Sequence, residues 1–352
     1  QAERDDGHVR RARGVDVHMS SVLQLAQVSG GATFIQTVTK SLALGSVYIL
    51  IALGFVIIFK ATQVLNFAAG ALAMAGALFM SILVSDGGFP FLPFDNPLAP
   101  AEGETAGILL WVVNIAMALV LAAIFGLILE RLTIRPMVGQ PLFAMAVITL
   151  GIEVAVRPFN LDATALEGRS LGVPWGSGSW SWAGAVIPKS YIAAMVIAAI
   201  ASSVVLIFFR TKLGVAMRAV AFDQEAAMAQ GINVGRVFAI AWGMGAALAA
   251  LGAIVYSMAP FPPGGTVSQE IHPILGFRVL PVIVLGGLDS VPGAIYGGLM
   301  IASAEIFAGQ YLSQYNSILG SGYSTIVPYL VMLVVLLVKP YGLFGTAEIR
   351  RV

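Results

Sequence analysis

A succession of nine apolar stretches, 16 to 26 residues long, constrains this chain more than any other feature. They are Phe34–Phe59, Leu65–Ser85, Gly107–Glu130, Phe143–Asn160, Tyr191–Phe209, Val237–Met258, Pro273–Leu288, Pro292–Ala308 and Tyr323–Val338. About 20 mostly apolar residues suffice to cross the hydrocarbon of a bilayer as a helix. Lipid offers backbone groups no hydrogen bonds, so runs of this length satisfy their own N–H and C=O groups by coiling. Hydrophobic residues fill 58% of the 352 positions and charged residues 11%. A soluble domain holds about 45–50% and about 25%, and its surface is too large a share of the whole to hide that excess. The fold class is therefore all-α, a polytopic transmembrane helical bundle. The 39 glycines suit it, because small residues let helices approach closely in lipid. The seventh and eighth runs are short and joined by Gly286, Gly287, Asp289, Ser290, Pro292 and Gly293. They are two tight spans or one re-entrant unit, which gives eight or nine membrane segments in one domain, 31–345.

Charges in the connections set the orientation. The loop Asp86–Ala106 holds Asp86, Asp95, Glu102 and Glu104 and no Lys or Arg. Arg131–Pro141 holds two arginines and no acid, and Arg210–Arg236 holds Arg210, Lys212, Arg218 and Arg236. Basic loops stay in the cytoplasm, so these two and the end of the chain (Lys339, Arg350, Arg351) face inward and the acidic loop faces outward. An odd number of crossings with an outer N-terminus satisfies all of these. The basic residues Arg4, Arg10, Arg11 and Arg13 run against that parity. Residues 1–30 read as a polar, disordered tail, with Met19 a candidate start, and 346–352 as a cytoplasmic tail.

The inner loop 210–236 carries the clearest local signal. Thr211–Ala221 reads as a continuation of the preceding span. Phe222–Gln230 then has Asp223 and Glu225 at its beginning, where acids complement a helix dipole, and Gly231 just past its end, where glycine terminates helices. A short self-capped helix between two spans, alanine-rich on one face, is suited to lying in a groove of another protein.

Glu225, Ala226, Ala227 and Gly231 spell EAAxxxG, which resembles the coupling-helix motif of permeases in ATP-binding-cassette importers. GSVYILIALGFVIIFKATQVLNFAAG (Gly45–Gly70) is similar to the N-terminal signature of branched-chain amino acid permeases. GFRVLPVIVLGGLDSVPGAIYGGLMIASAE (Gly276–Glu305) resembles their second signature and KPYGLFG (Lys339–Gly345) their C-terminal segment. Asp289 departs from the pattern, standing where a small residue is usual, and the outer loops Gly87–Ala106 and Asp162–Lys189 are idiosyncratic. The resemblance implies a permease subunit in a bacterial plasma membrane, working by alternating access. It implies two cytoplasmic ATPases docked on the coupling helix (Asp223, Glu225, Ala226, Ala227, Gly231). It also implies a second homologous permease and an extracytoplasmic solute-binding protein. The cargo it implies is branched-chain amino acids, or a related solute such as urea, short amides or aromatic acids. ATP hydrolysis is then expected in partners, since no GxxxxGK[ST] loop occurs here.

Charges at membrane depth face an interior or a cavity. Glu153 and Arg157 are four apart and share a helix face; Arg278 and Glu305 lie in the outer halves of their spans. These four are candidates for the translocation path or for structural pairs between helices. Asn66 and Gly70 are candidates too, where the positive start of the second span faces a pore, although Asn66 is equally suited to capping that helix. Trp175, Trp180 and Trp182 read as an interfacial belt. No cysteine and three histidines, two of them in the polar tail, leave no metal site, and no cofactor is expected. A net charge of +1 without basic–aromatic runs leaves no nucleic-acid partner. No HExxH, GxSxG or convergent His/Asp/Glu set suggests an enzyme. The alternative is an ion-coupled secondary transporter, which needs carboxylates near the midplane.

Overall fold

Each apolar run centres on a helix in the computed structural model of the protein. The structure describes residues 2–86, 88–90, 92–99, 107–137, 139–164, 169–176, 178–258, 266–267, 271–320 and 322–345. Side chains of 1–29 and of several residues bordering the gaps, His272 among them, lie outside that description, as does the tail 346–352. In chain order the helices are α1 (Ala2–Thr62), α2 (Ala69–Ser81), α3 (Ile108–Leu129), α4 (Leu142–Thr164), α5 (Lys189–Phe208) and α6 (Lys212–Phe222). They continue with α7 (Gln224–Ala229), α8 (Val234–Met258), α9 (Ile271–Gly286), α10 (Val291–Tyr311), the single turn α11 (Asn316–Leu319) and α12 (Tyr323–Val338). Gly30–Thr62 of α1, the helical stretch Ile108–Met137 that begins with α3, and α5, α8 and α10 are long and apolar enough to cross a membrane. Ala69–Val84, Leu275–Gly286 and α12 are shorter apolar helices. Together with α4, these helices cover the nine apolar runs.

Burial follows the logic of a lipid-embedded bundle. α1 and α8 form the centre: from Ala43 to Ile58 nearly every α1 side chain is buried, and Phe238, Ala241, Trp242, Ala246, Ala250 and Ala253 of α8 are sealed. Large apolar side chains point outward on the peripheral helices, as with Ile108 and Leu109 of α3, Phe143 and Val154 of α4, and Leu337 of α12. Water would penalise such a surface, whereas acyl chains match it. The apolar effect therefore does little to hold helix to helix, and close contact does more. A Cβ at Gly54 would meet the Gly245 carbonyl at 2.5 Å, and one at Gly245 would meet Ile58 at 2.6 Å. Without a side chain at either position, α1 and α8 touch backbone to backbone; inserting a methyl costs about 1–3 kcal/mol.

One open alternative takes a definite shape and one expectation changes. α9 and α10 are two helices joined by a tight turn at 287–290, an antiparallel hairpin. A Cβ at Gly293 would collide with the Gly286 carbonyl, and one at Gly297 would lie 2.5 Å from the Val282 carbonyl, so glycine alone allows this contact. The second apolar run becomes helical only at Ala69, after a non-helical segment from Gln63. Outside the bundle the backbone forms only short hairpins and pairings among the described residues. Ser179–Trp182 pairs with Ala185–Pro188, Gly88–Phe89 with Leu92–Asp95, and Arg169–Ser170 with Thr266–Val267. On the first of these, Trp180 and Trp182 are exposed. Trp175 instead packs edge-on against Trp111 at 5.4 Å and donates to Ser190 Oγ at 3.0 Å.

Candidate functional site

Three groups of side chains carry chemistry. The first lines a cleft of about 630 Å³ between α1, α5, α8, α9, α10 and α12, bordered by Thr37, Lys40, Tyr191, Tyr256, Arg278 and Glu305. At its base, Arg278 Nη1 of α9 donates to Glu305 Oε1 of α10, and Tyr48 Oη of α1 donates to Glu305 Oε2 at 2.7 Å. Both carboxylate oxygens are thus engaged. The side chain of Glu305 is 7% exposed and that of Arg278 21%, so the guanidinium is the wetter partner. A buried charge persists only when paired and hydrogen-bonded, and this one is. A guanidinium beside a carboxylate at the bottom of a polar cleft can receive a carboxylate and an ammonium, the two ends of a zwitterion. Nothing in the sequence singles out Tyr48, because it sits unmarked inside the longest apolar run.

The second group surrounds the start of α2. Asn66 does not cap the helix: its Oδ1 accepts from Ala68 N at 3.1 Å, shaping the turn before it, and the Ala68 cap position has no side-chain bond. Glu153 of α4 supplies the cap, its Oε2 accepting from Ala71 N at 3.0 Å. Thr149, one turn earlier, accepts from Phe67 N at 3.1 Å and donates to the Leu65 carbonyl at 2.9 Å. Together they satisfy the polar backbone that the break in helix exposes, and the carboxylate meets the positive end of the α2 dipole. Arg157 is exposed one turn further along α4. Gly70 is buried and faces Gly276 of α9, whose added Cβ would sit 3.4 Å from the Gly70 Cα.

The third group lies in the loop 210–236. Thr211–Ala221 is no continuation of α5: the helix stops at Phe208, and Thr211 caps a new helix, α6, accepting from Gly214 N. A Cβ at Gly214 would lie 2.5 Å from the Phe209 Cα, so α6 folds tightly against the end of α5. Asp223 ends α6 and caps α7, its Oδ1 accepting from Ala226 N at 2.9 Å. Gly231 closes α7 at φ +80°, with Gly231 N donating to the Met228 carbonyl and Ile232 N to that of Ala227, the paired bonds of a glycine-terminated helix. Ala227 is buried, while Glu225 and Ala226 face outward beside exposed Phe222 and Met228. Two arginines hold the loop's ends: Arg218 Nη1 donates to the Phe209 carbonyl at 2.6 Å and Arg135 Nη2 to the Gly235 carbonyl at 2.8 Å. Arg135 also pairs with buried Glu130 at 3.4 Å. Phe222, 94% exposed, is the strongest apolar anchor on this surface; its place directly before the cap is the sequence signal for it.

Among the described residues no group of three or more His, Cys, Asp or Glu is arranged to hold a metal ion.

Comparison with known proteins shows the family to which the chain is similar. A family model described as branched-chain amino acid transport system / permease component matches residues 37–336. The high-affinity branched-chain amino acid transport system permease protein BraD of Pseudomonas aeruginosa is 26% identical over 326 residues, 91% of this chain and 98% of BraD. LivH of Escherichia coli K12, a permease protein of the same description, is 27% identical over the same shares. A probable branched-chain amino acid transport permease protein LivH of Methanocaldococcus jannaschii is 25% identical over 313 residues, 84% of this chain and 88% of the relative. Nothing in these matches supports the ion-coupled alternative.

Proposed function

This chain belongs to the branched-chain amino acid transport system permease family, and from that premise we propose that it is the membrane subunit of an ATP-driven importer. It works in a bacterial plasma membrane with a second homologous permease, two cytoplasmic ATPases and an extracytoplasmic binding protein. Its cargo is branched-chain amino acids, the substrate named for its relatives; urea, short amides and aromatic acids are the related solutes. ATP is hydrolysed in the ATPases, and the permease converts their closure into alternate opening of its two faces.

The observation that carries this reading is the pair α6–α7. A six-residue helix capped at both ends by Asp223 and Gly231, lashed at each end of its loop by an arginine, is a rigid handle. It presents Phe222, Glu225, Ala226 and Met228 outward, a small apolar face with one acid that fits a groove in an ATPase. The outer cleft with Arg278 and Glu305 is the mouth of the path on the opposite face. Asn66, Gly70, Glu153 and Arg157 belong to its deeper part around the broken start of α2.

Glu225→Arg reverses the handle's charge at an exposed site that needs no internal partner. Expected is normal membrane insertion with loss of co-purification of the ATPase. Undiminished co-purification would refute the docking role.

A further inference from the structure

Lys60 stands at the inner end of α1 and touches two parts of the bundle. Its Nζ donates to the backbone carbonyl of Asp289 at 2.8 Å, in the turn of the α9–α10 hairpin. The same ammonium lies 5.6 Å from the centroid of the buried Phe209 ring, at the end of α5. Phe209 is in turn the residue whose carbonyl Arg218 of α6 grips at 2.6 Å, and α6 is joined to α7 through Asp223. A continuous chain of directional contacts therefore runs from the coupling helices through Arg218, Phe209 and Lys60 to the hairpin.

The hairpin is built to pass a displacement on. α9 and α10 meet backbone to backbone at Gly286 and Gly293, with no side chain between them to absorb a shift. The C-terminal segment clasps the end of α9, with Leu343 N donating to the Leu285 carbonyl at 2.8 Å and Phe344 N to that of Gly286 at 3.1 Å. The hairpin also carries both Arg278 and Glu305. Arg278 lies eight residues from Gly286, about 12 Å along the helix. α1 touches the hairpin again at that level through Tyr48 and Glu305. A cleft of about 250 Å³ lined by Phe59, Gln63, Leu288, Asp289 and Tyr341 adjoins the Lys60 contact, which leaves the inner turn room to move.

Resting on the permease reading above, we propose that Lys60 is the positioning residue that couples the α6–α7 handle to the Arg278–Glu305 pair, through the Asp289 carbonyl and the Phe209 ring. It acts through the hairpin and does not touch cargo. A lysine serving only as a positive anchor at the inner membrane surface would affect insertion or yield and leave the economy of transport alone. A coupling lysine sets how many solutes cross per ATP.

The test uses the complete importer, with both permeases, both ATPases and the binding protein, reconstituted in vesicles. Import of labelled leucine and ATP hydrolysis are measured together. In Lys60→Met, loss of a charged hydrogen bond and a cation–π contact is expected to lower leucine imported per ATP by about tenfold while ATP hydrolysis persists. Lys60→Arg, which can donate to the same carbonyl and stack on the same ring, is expected to recover the ratio to within about twofold. A wild-type ratio in Lys60→Met overturns the proposal. Should that variant fail to assemble, Phe209→Leu keeps an apolar residue in the buried position and removes only the π face. A lowered ratio there upholds the coupling, and an unchanged one overturns it. Failure of the unmodified importer to couple import to ATP would instead remove the permease reading itself, so the two failures are distinguishable.

Discussion

Removing Arg278 should harm the protein more than neutralising Glu305, and removing both should cost little beyond the milder single change. The reasoning starts from unequal burial. Glu305 is 7% exposed and Arg278 21%, so Arg278→Met strands a buried carboxylate that keeps its hydrogen bond from Tyr48. Breaking a buried pair from one side costs about 3–5 kcal/mol, and the adjoining polar cleft places this case near the lower end. Glu305→Gln leaves the guanidinium at the cleft, where water can solvate it, and keeps an acceptor for Tyr48. About 1–2 kcal/mol is expected there, the cost of weakening one charged hydrogen bond. In the double variant no charge is stranded, so its loss should lie within about 1 kcal/mol of Glu305→Gln alone, an interaction energy of about 2 kcal/mol or more. The assay is a double-mutant cycle on the purified permease in bicelles, following unfolding by sodium dodecyl sulfate. Additive losses, or a greater loss for Glu305→Gln than for Arg278→Met, would refute the idea that the pair is held by mutual compensation.

Two further outcomes follow from the packing. Glu153→Leu removes the charged hydrogen bond to the Ala71 N–H, a loss of about 1.5–3 kcal/mol; Glu153→Gln, which can still accept from that N–H, should recover most of it in the same unfolding titration. Gly293→Leu drives a side chain into the Gly286 carbonyl, so the hairpin should separate and folded yield fall sharply by size-exclusion chromatography, whereas Gly151→Leu, with nothing within 4 Å of its added Cβ, should be tolerated.

Much of this architecture is legible from residue pattern alone, for a physical reason. Lipid demands long apolar runs, so the runs name the helices. The handle is equally legible, because Asp223 and Gly231 are the residue types that begin and end a helix, and the structure uses both in those roles. Legibility fails where a contact joins elements distant in sequence. Tyr48 meets Glu305 across 257 positions and Lys60 meets Asp289 across 229, and nothing in either residue's own helix signals its partner. The start of α2 misleads for a related reason. Asn66 is a good cap by local rules, yet Glu153 and Thr149, 82 or more positions away, satisfy the backbone that local rules assign to it. The separation of α6 from α5 turns on Thr211, whose hydroxyl gives a new helix a start where hydrophobicity alone suggests continuity.

The measurement that bears most directly on the central claim is uptake of labelled leucine into vesicles holding this permease with its partner permease, ATPases and binding protein. Uptake should require ATP on the ATPase side and vanish when the ATPases are omitted, whatever ion gradient is imposed. Leucine accumulation driven by a proton or sodium gradient through the permease alone would contradict the account.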